Sequence, residues 1–283
     1  MRKIFKSDNL NLEFHKLGYT KVPFTTLILL DKFREKIKAL KPSDGFEAYQ
    51  KNLIHPQDYH CTFFDTDKTY RTKVFEIVLE FFEEAAKELL VDYDFIQANV
   101  FIKPSFKGYV AAHQNLTVVD ETQFTSVSFW CPAQDTNIAN GTMLLVPRSH
   151  KKFMKYRSTN ICWPLLPLFE DYTSPFLKAI DVKAGELLII DDRIVHGTSI
   201  NQTPNERFVF HAMLAPKEAQ TIYCEIDQEN KVVRRYAVDR LFWQYYLPGS
   251  KPQGLELIDT LPYNESAMSV EAFQSELHGS ANC

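Results

Sequence analysis

The sequence predicts a mainly β protein with flanking helices, an antiparallel sandwich or jelly roll, on three observations. After residue 92 the chain breaks into short β-rich runs at 95–103, 108–119, 125–133, 141–147, 179–182, 186–190, 194–200 and 206–214, each bounded by turn residues. No helical pattern is interleaved among them, and parallel strands need crossover helices, so the pairing is antiparallel. Before residue 92 apolar residues recur mostly at helical spacing, which sets helices beside the sheets.

Taken in order, residues 17–24, LGYTKVPF, read as a short strand. The Thr25-Thr26 pair can cap a helix carrying Leu30, Phe33, Ile37 and Leu40 on one face, ended by Pro42 and Gly45. From Thr66 to Leu90, Tyr70, Val74, Ile77, Val78, Phe81, Phe82, Ala85 and Leu89 trace one stripe opposite Lys and Glu, an amphipathic helix packed on a core. Residues 151–178 form an irregular insert rich in Pro and aromatics, the kind of loop that carries function. Asp227-Gln228-Glu229-Asn230 marks a hairpin turn. Pro248, Gly249, Pro252 and Gly254 mark a C-terminal extension, with a mobile tail of about 20 residues. One domain is expected, with a helical part at about 1–92, a jelly-roll core at about 93–216 and the extension at about 217–283.

Composition narrows the function classes. The chain has 283 residues, 22 Phe and 13 Tyr among them, enough to pack a core and wall an apolar pocket. A net charge of -4 without long like-charge blocks leaves no electrostatic footprint for nucleic acid or an anionic membrane, so the expected partner is a small molecule. No stretch approaches the ~18 apolar residues of a membrane span. MRKIFKSDNLNLEF lacks the apolar core of a secretory signal. The cysteines, Cys61, Cys131, Cys162, Cys224 and Cys283, are scattered without a C-x-x-C pair, which reads as reduced thiols in a cytoplasmic protein.

The chemistry is concentrated in three places. In AAHQNLT (111–117), His113 and Asn115 lie two apart on a predicted strand and so share a face, the way a chain presents two donors to one metal ion. His196 lies in DDRIVHGTSIN, on a late strand. Early and late strands of a jelly roll are neighbours, so the two histidines can share a cavity. Two imidazoles and one oxygen donor leave positions open, which suits Fe(II) with a chelating co-substrate and O2. Arg207 sits eleven residues beyond His196, on the strand expected to pair with it across the Asn201–Asn205 turn. A buried guanidinium there is a natural partner for a carboxylate of a bound dicarboxylate.

These residues resemble a known family. His113-x-Asn115, FWCPAQDTNIANGTMLLVPRSHKK (129–152) and GELLIIDDRIVHGTSINQTPNERFVFHAMLA (185–215) look like the phytanoyl-CoA dioxygenase-like family of Fe(II)/2-oxoglutarate-dependent oxygenases. FIKPSFKG (101–108) and LGYTKVP (17–23) extend the likeness, which runs over roughly residues 15–216. It implies a double-stranded β-helix, a cupin-like jelly roll, holding iron at its wide end with 2-oxoglutarate on the metal. His113 and His196 take the places of the imidazole ligands and Asn115 that of the third. Arg207, helped by Thr198, takes the distal carboxylate of 2-oxoglutarate, and Trp130 lines the pocket. Gly141 and Pro147 are structural, Asn140-Gly141 forming a turn, and His150 is a loop residue. The implied reaction oxidises a C–H bond of a small apolar or mixed-polarity metabolite with O2, releasing succinate and CO2.

Position 115 departs from the family, which has Asp there. An amide oxygen offers a hard cation a dipole instead of a full charge, so metal is held less tightly. Four readings follow: Asn115 ligates through its oxygen; water or halide takes the place; another acid such as Asp120, Asp191 or Asp192 swings in; or the chain is a catalytically impaired member acting as a small-molecule-binding jelly roll. Substrate contacts are expected from 46–64, with Tyr49, Tyr59, His60 and Phe64, and from the insert 151–178. Lys151, Lys152, Lys155 and Arg157 are too generic a cluster to argue for a CoA thioester.

Overall fold

The two predicted helices form where their caps and stripes require. The computed structural model describes residues 2–40, 58–152, 156–160, 176–264 and 269–278. Thr26 accepts a hydrogen bond from the Leu29 amide and opens α2, Leu27–Lys38, which buries Leu30, Phe33 and Ile37. Pro42 and Gly45 lie outside the described residues. Asp67 accepts from the Thr69 and Tyr70 amides and opens α3, Lys68–Leu89, whose buried stripe is the expected one. The stripe also buries Arg71, which donates to the Tyr246 carbonyl at 3.0 Å. A shorter helix, α1, Asp8–Leu17, is capped by Ser7 and buries only Phe14, too few apolar positions for a periodic signal.

The strands form two facing sheets plus a third. The first has six strands in the order β1-β8-β5-β10-β3-β2: β1 Tyr19–Pro23, β8 Glu186–Asp191, β5 Val127–Pro132, β10 Arg207–Pro216, β3 Tyr93–Lys103 and β2 His60–Cys61. The second has the order β4-β9-β6-β7: β4 Val110–His113, β9 His196–Thr198, β6 Met143–Leu145 and β7 Lys178–Ile180. All pairs are antiparallel, as expected. Alternation splits the six-stranded sheet. Phe129, Cys131, Leu187, Ile189, Phe208 and Phe210 pack with α2 and α3, while Trp130, Leu188, Ile190 and Val209 pack with Met143 and Leu145 of the second sheet. Every residue of β10 is buried because both its faces are covered.

Three expectations are corrected. Arg207 does not pair with the His196 strand: β10 lies between β5 and β3, β9 lies between β4 and β6, and the Asn201–Asn205 connection crosses from one sheet to the other. The run 108–119 is a strand only to His113, so Asn115 lies in the following connection and strand alternation does not set its direction. Residues 217–283 are more than an extension. Ile222–Asp227 (β11), Val232–Ala237 (β12) and Glu256–Pro262 (β13) make a three-stranded sheet, with Asp227–Asn230 at the expected hairpin turn. In the tail, Val270–His278 is helical and Phe273 packs on Phe176 at 5.3 Å between ring centroids.

Gly141 closes the Asn140-Gly141 turn at φ +80°, and a Cβ there would lie 2.6 Å from the Ser199 carbonyl and 3.2 Å from Lys103 Nζ. No described helix is long and apolar enough to cross a membrane. Cys61, Cys131 and Cys224 are buried free thiols; Cys162 and Cys283 lie outside the described residues. Phe82 is fully buried with ring contacts to Phe24, Phe81 and Phe129. Phe82→Ala is expected to lower the unfolding free energy by about 3–5 kcal/mol in a denaturant titration, since a cavity opens between helix and sheet.

Candidate metal centre

The pairing of β4 with β9 sets His113 opposite His196, and their rings stand 4.2 Å apart between centroids. Each imidazole is held in the same way. His113 Nδ1 meets the Ala111 carbonyl at 2.8 Å and His196 Nδ1 meets the Ile194 carbonyl at 2.9 Å. A carbonyl can only accept, so both protons sit on Nδ1 and each Nε2 keeps the lone pair that a metal uses. Burial pushes both pKa values down, that of His196 furthest because His113 adds to the effect. Neutral imidazole is the ligating form.

Asn115 is set by hydrogen bonds. Its backbone N–H donates to the Asp192 carbonyl at 2.8 Å, and Arg157 Nε donates to its own carbonyl at 2.8 Å. Its side-chain Nδ2 donates to Asp192 Oδ1 at 2.7 Å and to Ser128 Oγ at 3.1 Å. Asp192 is fully buried, and its pKa is raised to about 6 by burial, against hydrogen bonds from Ser128 and Asn115. Asp120 and Asp191 serve elsewhere, Asp120 facing Arg235 at 3.3 Å and Asp191 facing Arg193 at 2.6 Å. Among the described residues no group of three His, Cys, Asp or Glu is arranged to hold a metal, and the side chain beside the imidazole pair at position 115 is an amide.

Arg207 faces this pair from the other sheet. It is 2% exposed, Nε and Nη1 have no hydrogen-bond partner, and the guanidinium carbon lies 5.7 Å from the Trp130 ring centroid. Burial pushes its pKa down. Lys103, its register partner on β3, is fully buried too. Lys103 Nζ donates to Thr198 Oγ1 at 2.5 Å and to the Ser199 carbonyl at 2.6 Å. Burial and then the neighbouring guanidinium push the Lys103 pKa well down. A buried guanidinium with unpartnered nitrogens makes a receptor for an anion, and Lys103 stands behind it on the neighbouring strand.

One cavity of about 390 Å³ is lined by His113, Asn115, Trp130, His196, Thr198 and Arg207, all six residues singled out in the sequence. Tyr59 and Phe64 line it as expected; His60 does not, its Nε2 lying 3.0 Å from the Tyr70 hydroxyl, and Tyr49 lies outside the described residues. Of the insert, Ser158 and Thr159 line the cavity, while 153–155 and 161–175 lie outside the described residues. Arg157 belongs to no basic patch: it is buried in a two-pronged pair with Glu121 at 2.5 Å. His150 sits in the Ser149–Lys151 turn and does not line this cavity, and its Nε2 lies 3.3 Å from the His15 carbonyl.

Sequence reasoning missed Lys103, Asn99 and His211. His211 lines the cavity four residues after Arg207, opposite Asn99 on β3 and Trp130 on β5. Its Nδ1 and the Asn99 Nδ2 are buried without partners. Burial and then His113 push the His211 pKa down to about 4. The available signal was parity, since a strand that turns Arg207 inward turns His211 inward also.

The residues fit a divalent first-row metal with a bound diacid: two Nε2 lone pairs and an amide oxygen at one end, unpartnered guanidinium nitrogens at the other. Comparisons with known proteins point the same way. A family model described as phytanoyl-CoA dioxygenase (PhyH) matches residues 29–209. A Dictyostelium discoideum protein named phytanoyl-CoA dioxygenase domain-containing protein 1 homolog is 26% identical over 118 residues, 39% of this chain and 42% of that one. An Oryza sativa subsp. japonica protein named phytanoyl-CoA dioxygenase 1 is 25% identical over 148 residues, 50% of each. The chain thus spans about half the length of the curated relatives it matches.

Two solved structures share the fold. The non-haem alpha-ketoglutarate-dependent carbocyclase SnoK from nogalamycin biosynthesis superposes with a TM-score of 0.55 at 16% identity, over 89% of this chain and 96% of its own. HygX from Streptomyces hygroscopicus, solved with nickel, 2-oxoglutarate and hygromycin B, superposes with a TM-score of 0.52 at 13% identity, over 75% and 88%. With His113, Asn115, His196 and Arg207 all inside the matched residues 29–209, the chain belongs to the phytanoyl-CoA dioxygenase family.

Proposed function

We propose that this protein is a non-haem Fe(II)- and 2-oxoglutarate-dependent oxygenase acting on a small, largely apolar metabolite. The observation that carries the reading is the buried, unpartnered Arg207 facing two neutral imidazoles across one cavity. A scaffold without an anionic ligand has no use for such a cation, because an uncompensated buried charge costs stability.

In this reading His113, His196 and the Asn115 oxygen hold iron, and Arg207, with Lys103 and Thr198 beside it, holds the distal carboxylate of 2-oxoglutarate. Iron with 2-oxoglutarate and O2 supplies oxidation of an unactivated C–H bond, with succinate and CO2 as co-products. The chain's own residues bind, orient and exclude water. Trp130 lies against the guanidinium and keeps that end of the cavity dry. Phe63, Phe64, Leu116 and Met213 give the rest an apolar wall. Asn99 and His211 add a neutral polar patch, suited to a hydroxyl or carbonyl on an otherwise apolar substrate.

The second reading, a ligand-binding jelly roll without turnover, is favoured by the amide at position 115. The two readings part on succinate. With Fe(II) and 2-oxoglutarate supplied, the wild-type protein is expected to form succinate at a rate lost by at least about 100-fold in His196→Ala. A wild-type rate equal to that of the variant, with 2-oxoglutarate binding intact, would leave only the binder.

Two further outcomes follow from the anion site. Arg207→Met is expected to weaken 2-oxoglutarate binding by about 100-fold or more in calorimetry, yet leave the ligand-free protein as stable as wild type or more so, since a buried charge is removed. An incoming carboxylate raises the lowered Lys103 pKa, so binding takes up a proton. Affinity is therefore expected to fall as pH rises, and the calorimetric heat to change with the ionisation enthalpy of the buffer.

A further inference from the structure

We propose that Asp192 is the positioning residue of the metal site, and that Asn115 and Asp192 are a charge-exchanged pair: the carboxylate stands one step behind the metal and aims a neutral amide at it. The inference rests on the oxygenase reading only in taking the imidazole pair as a metal site.

The hydrogen bonds carry it. A carboxylate only accepts, so the group of Asn115 that meets Asp192 Oδ1 at 2.7 Å is the –NH2. Ser128 Oγ donates to the same carboxylate oxygen at 2.6 Å and accepts from Asn115 Nδ2 at 3.1 Å, which closes a three-membered network. With the nitrogen held on that side, Oδ1 is on the other, and Asn115 lines the cavity that the two imidazoles line. Asp192 does not line it.

The surrounding backbone fixes the pair. The Asn115 amide donates to the Asp192 carbonyl, Gln114 Nε2 donates to the Arg193 carbonyl at 2.6 Å, and Arg157 Nε holds the Asn115 carbonyl. The backbone segments that carry the two side chains are therefore held together beside the strand ends that carry the imidazoles.

Two consequences distinguish this arrangement from a merely weakened site. Without Asp192 the amide is free to turn its –NH2, which cannot ligate, toward the metal. A carboxylate on the amide nitrogen also draws electron density onto Oδ1 and makes it a better donor. Conversely, an Asp at 115 would set two carboxylates where Nδ2 and Oδ1 now meet at 2.7 Å, and their repulsion would work against the gain of a charged ligand.

Anaerobic titration of the 283-residue chain with Co(II), read by calorimetry and by the visible absorption of the bound ion, tests the pair through a double-mutant cycle. Asp192→Asn, which preserves shape, is expected to weaken Co(II) binding by about 10–100-fold with the thermal midpoint little changed. Asn115→Asp is expected to bring no gain while Asp192 is retained, and a gain of about tenfold or more once Asp192→Asn is also present.

Equal effects of Asn115→Asp in both backgrounds would overturn the proposal. So would Asp192→Asn binding Co(II) as the wild type does. If Asp192→Asn fails to fold, a tenfold gain from Asn115→Asp alone still overturns it. Failure of the wild-type protein itself to bind Co(II) would instead remove the metal-site reading, and this proposal with it.

Discussion

The site depends on one register: β4 and β9 pair so that His113 faces His196. Side chains alternate along a strand, so a slip of one residue in either partner would turn an imidazole out of the cavity. The pairing is irregular between Val110 and His113, and the strand stops there. The irregularity lets the next residues leave the sheet and run past Asp192, which brings Asn115 back toward the same cavity. Both rings are clamped through Nδ1 to the carbonyl two residues earlier, so the backbone that fixes the register also fixes ring rotation and tautomer.

The opposite wall depends on β10 being covered on both sides. Its outer face carries Phe208 and Phe210 into the core beneath α2 and α3, with Phe210 4.5 Å from Phe81 between ring centroids. That packing holds the strand in place while its inner face carries Arg207 and His211, which no purely apolar strand would bury. Lys103 and Asn99 stand opposite them on β3, and of these four residues Arg207, His211 and Asn99 line the cavity, so a cation at one end gives way to a neutral polar pair further along. In so dry a setting electrostatic differences between those steps are large, and a ligand with an anionic end and a neutral end has one favourable direction of entry.

Much of this was legible in the sequence because periodicity and caps act locally. The α3 stripe, the Thr26 cap and the alternating runs from 95 to 214 each name their own element. The two histidines and Arg207 were legible as candidates because few other residues could serve their chemistry. What was not legible is non-local. Nothing in Asn201–Asn205 says whether the next strand turns back beside β9 or crosses to the other sheet, since a turn specifies a change of direction and not a partner. The contact of Asp192 with Asn115 was hidden for the same reason, the two lying 77 positions apart. Lys103 closes the 95–103 run just before a proline, and only the register of that run sets it beside Arg207.

Charge balance links the two ends of the cavity. In the proposed site His113, His196 and Asn115 would be neutral donors that cancel none of the charge of a divalent ion, with the buried Asp192 carboxylate behind Asn115. At the other end two basic side chains are buried without a carboxylate on Arg207 Nε or Nη1. A metal ion alone would add positive charge to a site already short of anions, and a diacid alone would leave its second carboxylate facing neutral imidazoles. Each ligand therefore relieves the charge that the other introduces, and the two should bind with positive coupling, reciprocal in size by thermodynamic necessity. An Asp at position 115 would lessen that coupling only if Asp192 were no longer a carboxylate 2.7 Å away. In the proposed reading the amide, held by a carboxylate one step away, would make occupancy of the metal site depend more heavily on the co-substrate.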